Sequence, residues 1–493
     1  MPAARPLPAA HQPWRGRASA PSARETEPLL RRRRVGQRPP LPPSTSAALQ
    51  QDAPPPDFKK MHRCPLLEVT AWYGQARAVW GKKNEMRSQF VFWREKSIAD
   101  SQPRESTGIA MESWVRAVVE AIHSSRAQAV LYLAGGASQA LGWLLSVPGA
   151  SSTVLEVVVP YSRASMAQLL GKMPSQFTSK QTAEDMALAA YNRALKLSGP
   201  GLQVMGVSFT GSLASSRPKC GDHRFYVSSR TNNCIRTSHV TLSKGLRSRE
   251  EEDKLSSYFL LKAIADTCKA SATIQSDIQE PEIPEESMEQ FDEDQELQQV
   301  INGQVCMKVY HFADLVDKNF NRKIILPGSF NPLHDGHLRL LEVASSMCDD
   351  ALPFFEISAI NADKPPLSIV EIKRRVEQFR KAGKNVIISN QPYFYKKAEL
   401  FPGSAFIIGA DTAARLVNPK YYGGDYNRML EILLGCKSTG TTFLVGGRKI
   451  EGVFKVLEDL DIPVELRDMF ISIPEEMFRL DISSTELRER QKL

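Results

Sequence analysis

The stretch that decides the fold of this 493-residue chain is Lys323-Ile-Ile-Leu-Pro-Gly-Ser-Phe-Asn-Pro-Leu-His334-Asp-Gly-His337. Its apolar start, its Gly, Asn and Pro residues and its apolar continuation predict a strand, a tight turn and the start of a helix. Such a turn brings free backbone N–H groups and the positive end of the helix dipole to one point, which favours a phosphate. His334 and His337 are three residues apart on the first helical turn, so both imidazoles can donate hydrogen bonds to one phosphate.

Three motifs, in this order along the chain, resemble the nucleotidyltransferase superfamily. The first is Gly328-Ser-Phe-Asn-Pro with the following His334-Asp-Gly-His337. The second, Phe406-Ile-Ile-Gly-Ala-Asp411, resembles the middle strand and acidic turn of the nicotinate and nicotinamide mononucleotide adenylyltransferases. The third, Asp481-Ile-Ser-Ser-Thr-Glu-Leu-Arg488, resembles the Ile-Ser-Ser-Thr-x-x-Arg motif and follows the first by about 150 residues, the length of one domain.

The resemblance implies a role for each residue that matches a motif. His334 and His337 are expected to be the catalytic pair at the α and β phosphates of a nucleoside triphosphate. The residues expected to bind ATP and its phosphates are Gly328, Ser329, Phe330, Ser484, Thr485 and Arg488. The residues expected to bind the acceptor substrate are Lys364, Gly409 and Asp411. In addition, Ser483 and Glu486 form a capping-box pattern, which directs the next backbone N–H groups toward the phosphates.

The C-terminal region alternates short apolar runs with amphipathic ones, which predicts an α/β fold with a Rossmann-like, doubly wound parallel sheet. Strands are predicted at 324–326, 353–360, 385–389, 404–409, 442–445 and 469–473. Helices are predicted at 337–347, 368–382, 425–433 and 453–460, with a last one from Ser484. Because His334, Asp411 and Gly446 each follow a predicted strand, we expect them to line one crevice.

Residues 111–270 predict a second three-layer α/β domain, since strands and helices alternate from Met111 onward. This domain resembles the C-terminal domain of the CinA family, a nicotinamide mononucleotide deamidase. The matching runs are Ala134-Gly-Gly136, Pro148-Gly-Ala-Ser151, Val159-Pro-Tyr161-Ser162 and Phe209-Thr-Gly211-Ser. The position of the family's serine holds Tyr132, the expected lysine after Tyr161 is missing, and the sequence supplies no partner for the nearby Ser138. We therefore expect a degenerate domain that binds a mononucleotide without hydrolysing it.

The rest of the chain is predicted to be a leader and a linker. Residues 1–110 are rich in Pro, Ala, Ser and Arg and predict a disordered, low-complexity leader. Residues 271–303 predict a solvated acidic linker, because residues 275–300 hold ten acids and no Lys or Arg. The nucleotidyltransferase domain is placed at 304–493. The leader holds 19 Lys and Arg against 9 Asp and Glu, whereas residues 111–493 hold 44 against 46.

Composition argues against several classes of protein. The basic excess lies in the leader, which argues against nucleic acid as a partner. No apolar run of membrane-spanning length occurs, so no membrane partner is expected. Seven scattered cysteines without a Cys-x-x-Cys pair indicate reduced thiols and a cytoplasmic location. An organellar location is the alternative if residues 1–60 act as a transit peptide, and a homo-oligomer stays open.

The sequence thus predicts an enzyme of pyridine nucleotide (NAD) biosynthesis that transfers AMP from ATP to nicotinamide or nicotinate mononucleotide. Mg²⁺ is expected with ATP, held by phosphates and water rather than by protein ligands. All six tryptophans precede the catalytic domain, so Phe394, Tyr395, Tyr421 or Tyr422 would have to stack on a pyridine ring. The alternatives are a cytidylyltransferase, another phosphate-acceptor nucleotidyltransferase, or a non-catalytic nucleotide-binding regulator.

Removal of residues 1–110 is expected to leave folding and turnover intact, because their composition cannot form a packed core. The test compares the soluble yield and the pyrophosphate release of a chain that starts at Met111 with those of the full chain. Insoluble protein after truncation would contradict the prediction.

Overall fold

The computed structural model describes residues 111–199, 201–217, 219–270, 282–313, 322–348, 351–361, 365–450, 452–479 and 488. These residues lie in one compact unit, Ser106–Leu493. The leader, Lys364, Ser484, Thr485 and the helix predicted from Ser484 lie outside the described residues. None of the described helices is long and apolar enough to cross a membrane.

The first half is a mixed sheet of six strands in the order β2-β1-β3-β4-β5-β6. Its strands are β1 (Ala127–Ala134), β2 (Val154–Val158), β3 (Gln203–Ser212), β4 (His223–Arg230), β5 (Cys234–Leu242) and β6 (Glu285–Gln290). Its helices are α1 (Ser113–Ser124), α2 (Ser138–Ser146), α3 (Ala150–Thr153), α4 (Arg163–Leu170), α5 (Lys180–Leu197) and α6 (Arg249–Cys268). Strands β1, β2 and β3 are parallel, and the remaining pairs are antiparallel.

Apolar side chains cover both faces of this sheet, which makes the half three-layered. Val118 and Ile122 of α1 and Leu261 of α6 are buried in one core cluster with Phe209 of β3. On the other face, Met186 of α5 packs in a second cluster with Val130 and Tyr132 of β1. Tyr132, which stands where the deamidase family has its serine, is therefore a core residue.

Ser138 has a partner after all, contrary to the expectation from the sequence. Its hydroxyl donates to Asp253 Oδ2 at 2.8 Å, and its backbone N–H donates to Asp253 Oδ1 at 3.2 Å. Because Ser138 is the first residue of α2, the carboxylate satisfies a backbone N–H that the helix itself leaves open. Asp253 lies 115 residues away, so the pattern around Ser138 does not show it.

The described part of the acidic stretch, residues 282–300, is built into the fold rather than being a solvated linker. Strand β6 extends the first sheet by pairing with β5, and helix α7 (Glu293–Ile301) follows it. Leu297 and Val300 of α7 are fully buried, because two apolar side chains three residues apart give even this acidic helix one buried face. The bounds of the other predicted parts of the chain stay predictions.

The second half is a sheet of seven strands in the order β15-β12-β11-β8-β9-β10-β7. Its strands are β7 (Met307–Tyr310), β8 (Arg322–Pro327), β9 (Ala351–Ser358), β10 (Val386–Ser389), β11 (Ala405–Gly409), β12 (Thr442–Gly446) and β15 (Phe470–Ser472). Its helices are α8 (Asp335–Ser346), α9 (Ile369–Lys381), α10 (Phe394–Leu400), α11 (Ala410–Leu416) and α12 (Tyr426–Ser438). All strands are parallel except β7, so the doubly wound sheet is confirmed.

The prediction of a helix at 453–460 is wrong. Strands β13 (Arg448–Ile450) and β14 (Val453–Lys455) form a hairpin there, and a single 3₁₀ turn, Leu457–Asp459, follows. Gly452, at φ +83°, supplies the left-handed conformation that the tight connection needs. Strands β4, β5 and β7 and helices α10 and α11 were not predicted.

Helix α5 joins the two halves. Tyr191 on this helix is buried in one cluster with Leu297 of α7 and Ile324 of β8. Asn192 accepts a hydrogen bond from the backbone N–H of Cys306 at 2.8 Å and donates one to the carbonyl of Gln304 at 2.7 Å. The two sheets therefore share buried side chains and hydrogen bonds.

Candidate active site

The winding of the second sheet reverses at β8. Strands β9 and β10 follow on one side of β8, and β11, β12 and β15 lie on the other. In an open parallel sheet a crevice forms outside the carboxyl ends of the strands at this reversal, and ligands bind there. The turn after Pro327 and the start of α11 after Gly409 both lie at this point.

The turn after β8 is held in a conformation with little freedom. Phe330 has φ +43°, and its fully buried ring leaves no room for a side chain at position 328, where a Cβ would lie 2.7 Å from the ring. Helix α9 holds the turn from the other side. Arg375 donates to the carbonyl of Ser329 at 2.9 Å, and Gln378 accepts from the backbone N–H of Leu333 at 2.8 Å.

The two histidines stack at the start of α8. Their ring centroids lie 3.7 Å apart with an angle of 23° between the planes. The edge of the Phe330 ring lies against His337, with the centroids 4.9 Å apart. In the described part of the chain, the buried Nδ1 of His334 has no hydrogen-bond partner. A buried polar atom without a partner is costly, so this nitrogen is available for a ligand.

Both imidazoles are held in the neutral form. Burial, the nearby His334 and the positive Arg448 lower the pKa of His337 to about 3. Burial and Arg448 also lower the pKa of His334. Each ring at neutral pH therefore offers one N–H donor and one acceptor nitrogen.

The His337→Gln variant is expected to lose part of the pH dependence of the unfolding free energy. The folded pKa lies below the value of about 6.5 for an unfolded histidine, so the unfolded chain binds the proton more tightly. The stability that comes from neutral His337 is fully present above about pH 6.5 and is lost as the pH falls toward 3.

Urea denaturation at several pH values between 4 and 8 measures this effect, and the wild type should show the steeper fall on the acid side. His239→Gln, on strand β5 of the first sheet, is the control for loss of an imidazole elsewhere. Equal slopes for wild type and His337→Gln would contradict the assignment.

A cavity of about 220 Å³, which we call the histidine cavity, opens beside the two rings. Its lining includes His334, His337, Asp411, Gly446 and Arg448. The three residues predicted to follow strand ends thus lie together, as the sequence indicated. Asp411 is the only carboxylate that lines this cavity among the described residues, and it lies 3.6 Å from the guanidinium of Arg415.

A second space, the central cavity, of about 270 Å³, adjoins the histidine cavity. The two share Pro327, Gly409 and Thr412 as wall residues. Lys397 also lines the central cavity and forms a buried ion pair with Glu356, with 2.6 Å between Nζ and Oε2. This pair fixes the floor of the cavity between β9 and α10.

A third space, the tyrosine cavity, of about 510 Å³, continues from the central cavity. The two share Phe394 and Thr412. The aromatic residues of its lining are Tyr393, Phe394, Tyr395, Tyr421 and Tyr422. The rings of Tyr393 and Tyr395 stack with 5.6 Å between centroids, and Arg415 and Arg428 contribute positive charge. The aromatic residues that the sequence offered for ring stacking thus line one space.

The structure gives the positions of four of the residues predicted to bind phosphate. Gly328 and Ser329 line the central cavity, whereas Phe330 is buried beneath the turn and supports it. The guanidinium of Arg488 donates to the carbonyl of Asn331 in the same turn. Arg488 of the third motif therefore contacts the turn of the first motif. The roles of these residues remain predictions.

The sequence did not indicate Arg448, Arg375, Gln378 or Lys397. Arg448 follows the predicted strand at 442–445 by three residues. The expectation that residues just after strand ends line the crevice therefore came close to identifying it. The others act through contacts between distant segments, which no local pattern reveals.

The described residues hold no group of three or more His, Cys, Asp or Glu side chains that could hold a metal ion. The single carboxylate of Asp411 in the histidine cavity fits a Mg²⁺ that is held mainly by phosphates and water.

Comparison with known families gives a match in the C-terminal region. The cytidylyltransferase-like family model matches residues 325–490, which include the turn after β8, His334, His337 and Arg488. This match supports a nucleotidyltransferase-type function for that region and agrees with the first resemblance seen in the sequence. No match to a curated protein was found.

Among solved structures, the chain is similar to CinA-superfamily proteins. Competence/damage-inducible protein CihA from Agrobacterium tumefaciens is 16% identical, with a TM-score of 0.27, over 32% of this chain and 96% of that one. A CinA-superfamily protein from Klebsiella pneumoniae is 10% identical, with a TM-score of 0.26, over 31% and 98%. One from Escherichia coli is 12% identical, with a TM-score of 0.26, over 31% and 87%. Likeness at this level carries no conclusion about activity.

Proposed function

We propose that this protein transfers AMP from ATP to the phosphate of nicotinamide or nicotinate mononucleotide and releases pyrophosphate. The observation that carries the proposal is the shared wall of the histidine and central cavities, formed by Pro327, Gly409 and Thr412. Two adjoining spaces at the reversal of a parallel sheet suit two substrates that react with each other. ATP is assigned to the histidine cavity, with its phosphates extending past Pro327 toward Gly328 and Ser329, and the acceptor phosphate to the central cavity.

The reaction needs no covalent intermediate with the protein. An oxygen of the acceptor phosphate attacks the α-phosphorus of ATP, a new P–O bond forms, and the bond to the bridging oxygen of the β-phosphate breaks. Negative charge builds up on the phosphate oxygens and leaves with pyrophosphate. His334 and His337 are fixed by their stacked rings and donate N–H groups to these oxygens without having to reorganise. Arg448 adds positive charge at the same cavity.

The tyrosine cavity supports a pyridine mononucleotide as the acceptor. Its aromatic rings can stack on a flat pyridine ring, while Arg415 and Arg428 attract an anionic group. The cavity adjoins the central cavity through Phe394 and Thr412. One acceptor can therefore place its phosphate in the central cavity and its ring in the tyrosine cavity.

Adenine rather than cytosine is proposed as the base because the third motif reads Ile482-Ser483-Ser484-Thr485. This is the form found in the adenylyltransferases that the chain resembles. Mg²⁺ bound to the triphosphate would neutralise part of its charge, and Asp411 would hold that ion through water.

The test measures pyrophosphate release by the full chain with Mg²⁺ and ATP, with nicotinamide or nicotinate mononucleotide as the acceptor. The expected result is release that depends on ATP, on the acceptor and on His337. CTP in place of ATP, and phosphate acceptors without a pyridine ring, are the comparison substrates. Faster turnover with CTP would overturn the choice of nucleotide, and no release with any pair would overturn the enzymatic function.

Tyr421→Ala provides a separate test of the acceptor. Tyr421 is 60% exposed in the tyrosine cavity, so its removal should not disturb the core. The KM for the mononucleotide is expected to rise while the KM for ATP stays unchanged. Tyr226→Ala, in the first sheet, is the matched control.

A further inference from the structure

A cavity of about 230 Å³ lies between the two sheets, beside Lys323 at the start of β8 and away from the strand ends that form the active site. Part of its wall is helix α5 and the loop after it, and the opposite wall comes from β7, β8, β9 and β10. Its apolar lining residues include Leu195, Val204, Val300, Val305, Phe354 and Ile387. We call this space the inter-sheet cavity. It shares no lining residue with the three cavities of the proposed active site.

Positive charge exceeds negative charge around this space. Lys323, Lys308 and Glu296 line it, and Glu296 forms an ion pair with Lys308. Lys323 has no carboxylate within ion-pair distance among the described residues. One ammonium group at the cavity is therefore left without a counter-charge.

Lys323 has unused hydrogen-bonding capacity. Its ammonium donates to the carbonyl of Ser198 at 3.3 Å, and no second acceptor is recorded in the described part of the chain, although an ammonium has three donors. Burial alone lowers its pKa to about 8. A carboxylate nearby would raise the pKa again, but none of the described residues provides one. The burial of this charge therefore lowers the stability of the folded chain without compensation.

A second buried cation adds to the imbalance. Arg230 is 3% exposed, and its Nε has no hydrogen-bond partner among the described residues. It lies over the ring of Phe291 at 4.0 Å and donates to Gln299, which lines the cavity. No described carboxylate pairs with it. Arg230 itself does not line the cavity, so its charge lies behind the wall at Gln299, where Glu296 and Glu289 offset part of it.

We propose that the inter-sheet cavity binds a small organic carboxylate. The carboxylate group pairs with the Lys323 ammonium, and the apolar body of the ligand contacts Leu195 and Phe354. A single ammonium with free donors suits one carboxylate, and the apolar walls reward a ligand with a hydrocarbon or aromatic body rather than an inorganic ion.

The competing explanation is that Lys323 serves only the fold. Ser198 follows the last residue of α5, so the ammonium interacts favourably with the negative end of that helix dipole. This contact uses one donor and provides no full negative charge. It predicts no binding of carboxylates.

Calorimetric titration of the full chain tests the proposal, with benzoate and hexanoate as probes. We expect saturable binding at one site per chain for at least one of them. Benzamide, which has the same ring without the charge, should bind at least tenfold more weakly than benzoate. Binding of inorganic phosphate without binding of either carboxylate would overturn the proposed class of ligand.

Two variants locate the site. Lys323→Met removes the charge, and Leu202→Trp adds bulk at the exposed rim of the cavity while Lys323 stays. Each should weaken carboxylate binding at least tenfold. Lys384→Met, at an exposed lysine just before β10, is the matched control and should bind like the wild type. Unchanged binding in both Lys323→Met and Leu202→Trp would overturn the proposal.

His337→Ala separates this site from the active site. The variant should bind the carboxylate as the wild type does, because His337 does not line the inter-sheet cavity. Loss of binding in His337→Ala would show that the probe occupies the active site and would overturn the proposal. Since the readout is binding, the result does not depend on which nucleotides the protein turns over.

Discussion

Replacement of His337 by alanine is expected to lower kcat by about 10²–10³, which corresponds to about 3–4 kcal/mol of transition-state stabilisation. The imidazole is stacked on His334 and contacts the edge of the Phe330 ring, so its N–H is fixed before the substrate arrives. Alanine would leave the developing phosphate charge without this donor. The KM for ATP should change little, since the interaction strengthens mainly in the transition state.

The measurement is steady-state pyrophosphate release by the full chain. Arg339→Ala is the matched control because Arg339 lies on the same helix, is exposed and pairs only with Glu342 of that helix in the described structure. Near-normal kcat in His337→Ala would exclude the catalytic role of the histidine pair. A loss of equal size in Arg339→Ala would point to a general effect on α8 instead.

Lys397→Met is expected to lower the free energy of unfolding by about 3–5 kcal/mol. Glu356 is completely buried, and it accepts hydrogen bonds from Lys397 at 2.6 Å and from Ser389 at 2.5 Å. Without the ammonium, its charge would remain in the core with one hydroxyl partner and a weaker one, Ser358 at 3.2 Å. Because breaking a buried pair costs far more than the pair contributes, the loss should be large.

Urea denaturation gives the free energies. The double variant Glu356→Gln with Lys397→Met should recover most of the loss, since no charge is then left unpaired. Lys396→Met is the control on the same helix: its partner Glu399 is exposed, so the change should cost less than about 1 kcal/mol. A small effect in Lys397→Met would mean that water reaches Glu356 in solution.

The local residue pattern was enough to predict the parts of the site that depend on a single turn or a single strand end. The strand before Gly328 and the helix after it appear where the residue pattern placed them, because glycine, proline and an apolar run act over a few residues. The convergence of His334, Asp411 and Gly446 followed from a topological rule. Parallel strands end at one edge of the sheet wherever the intervening helices lie.

Features that depend on contacts between distant segments could not be predicted from the local sequence pattern. The hydrogen bonds between α9 and the turn after β8 come from Arg375 and Gln378. In the sequence these two look like ordinary residues of an amphipathic helix. The acidic stretch shows the same limit. Its composition favours solvated chain, yet Leu297 and Val300 are enough to bury one face of α7. The ion pair of Glu296 with Lys308 and the hydrogen bond from Tyr310 to Glu293 add to this burial and hold the helix against the fold.

The shared packing around Tyr191 has a consequence for how the protein comes apart. Two independent domains joined by a flexible tether would melt in two calorimetric transitions. Here α5 of the first sheet, α7 of the acidic stretch and β8 of the second contribute to one buried cluster, so neither half can lose its structure without uncovering apolar surface of the other. Differential scanning calorimetry of residues 111–493 should therefore show one cooperative transition, with equal calorimetric and van't Hoff enthalpies.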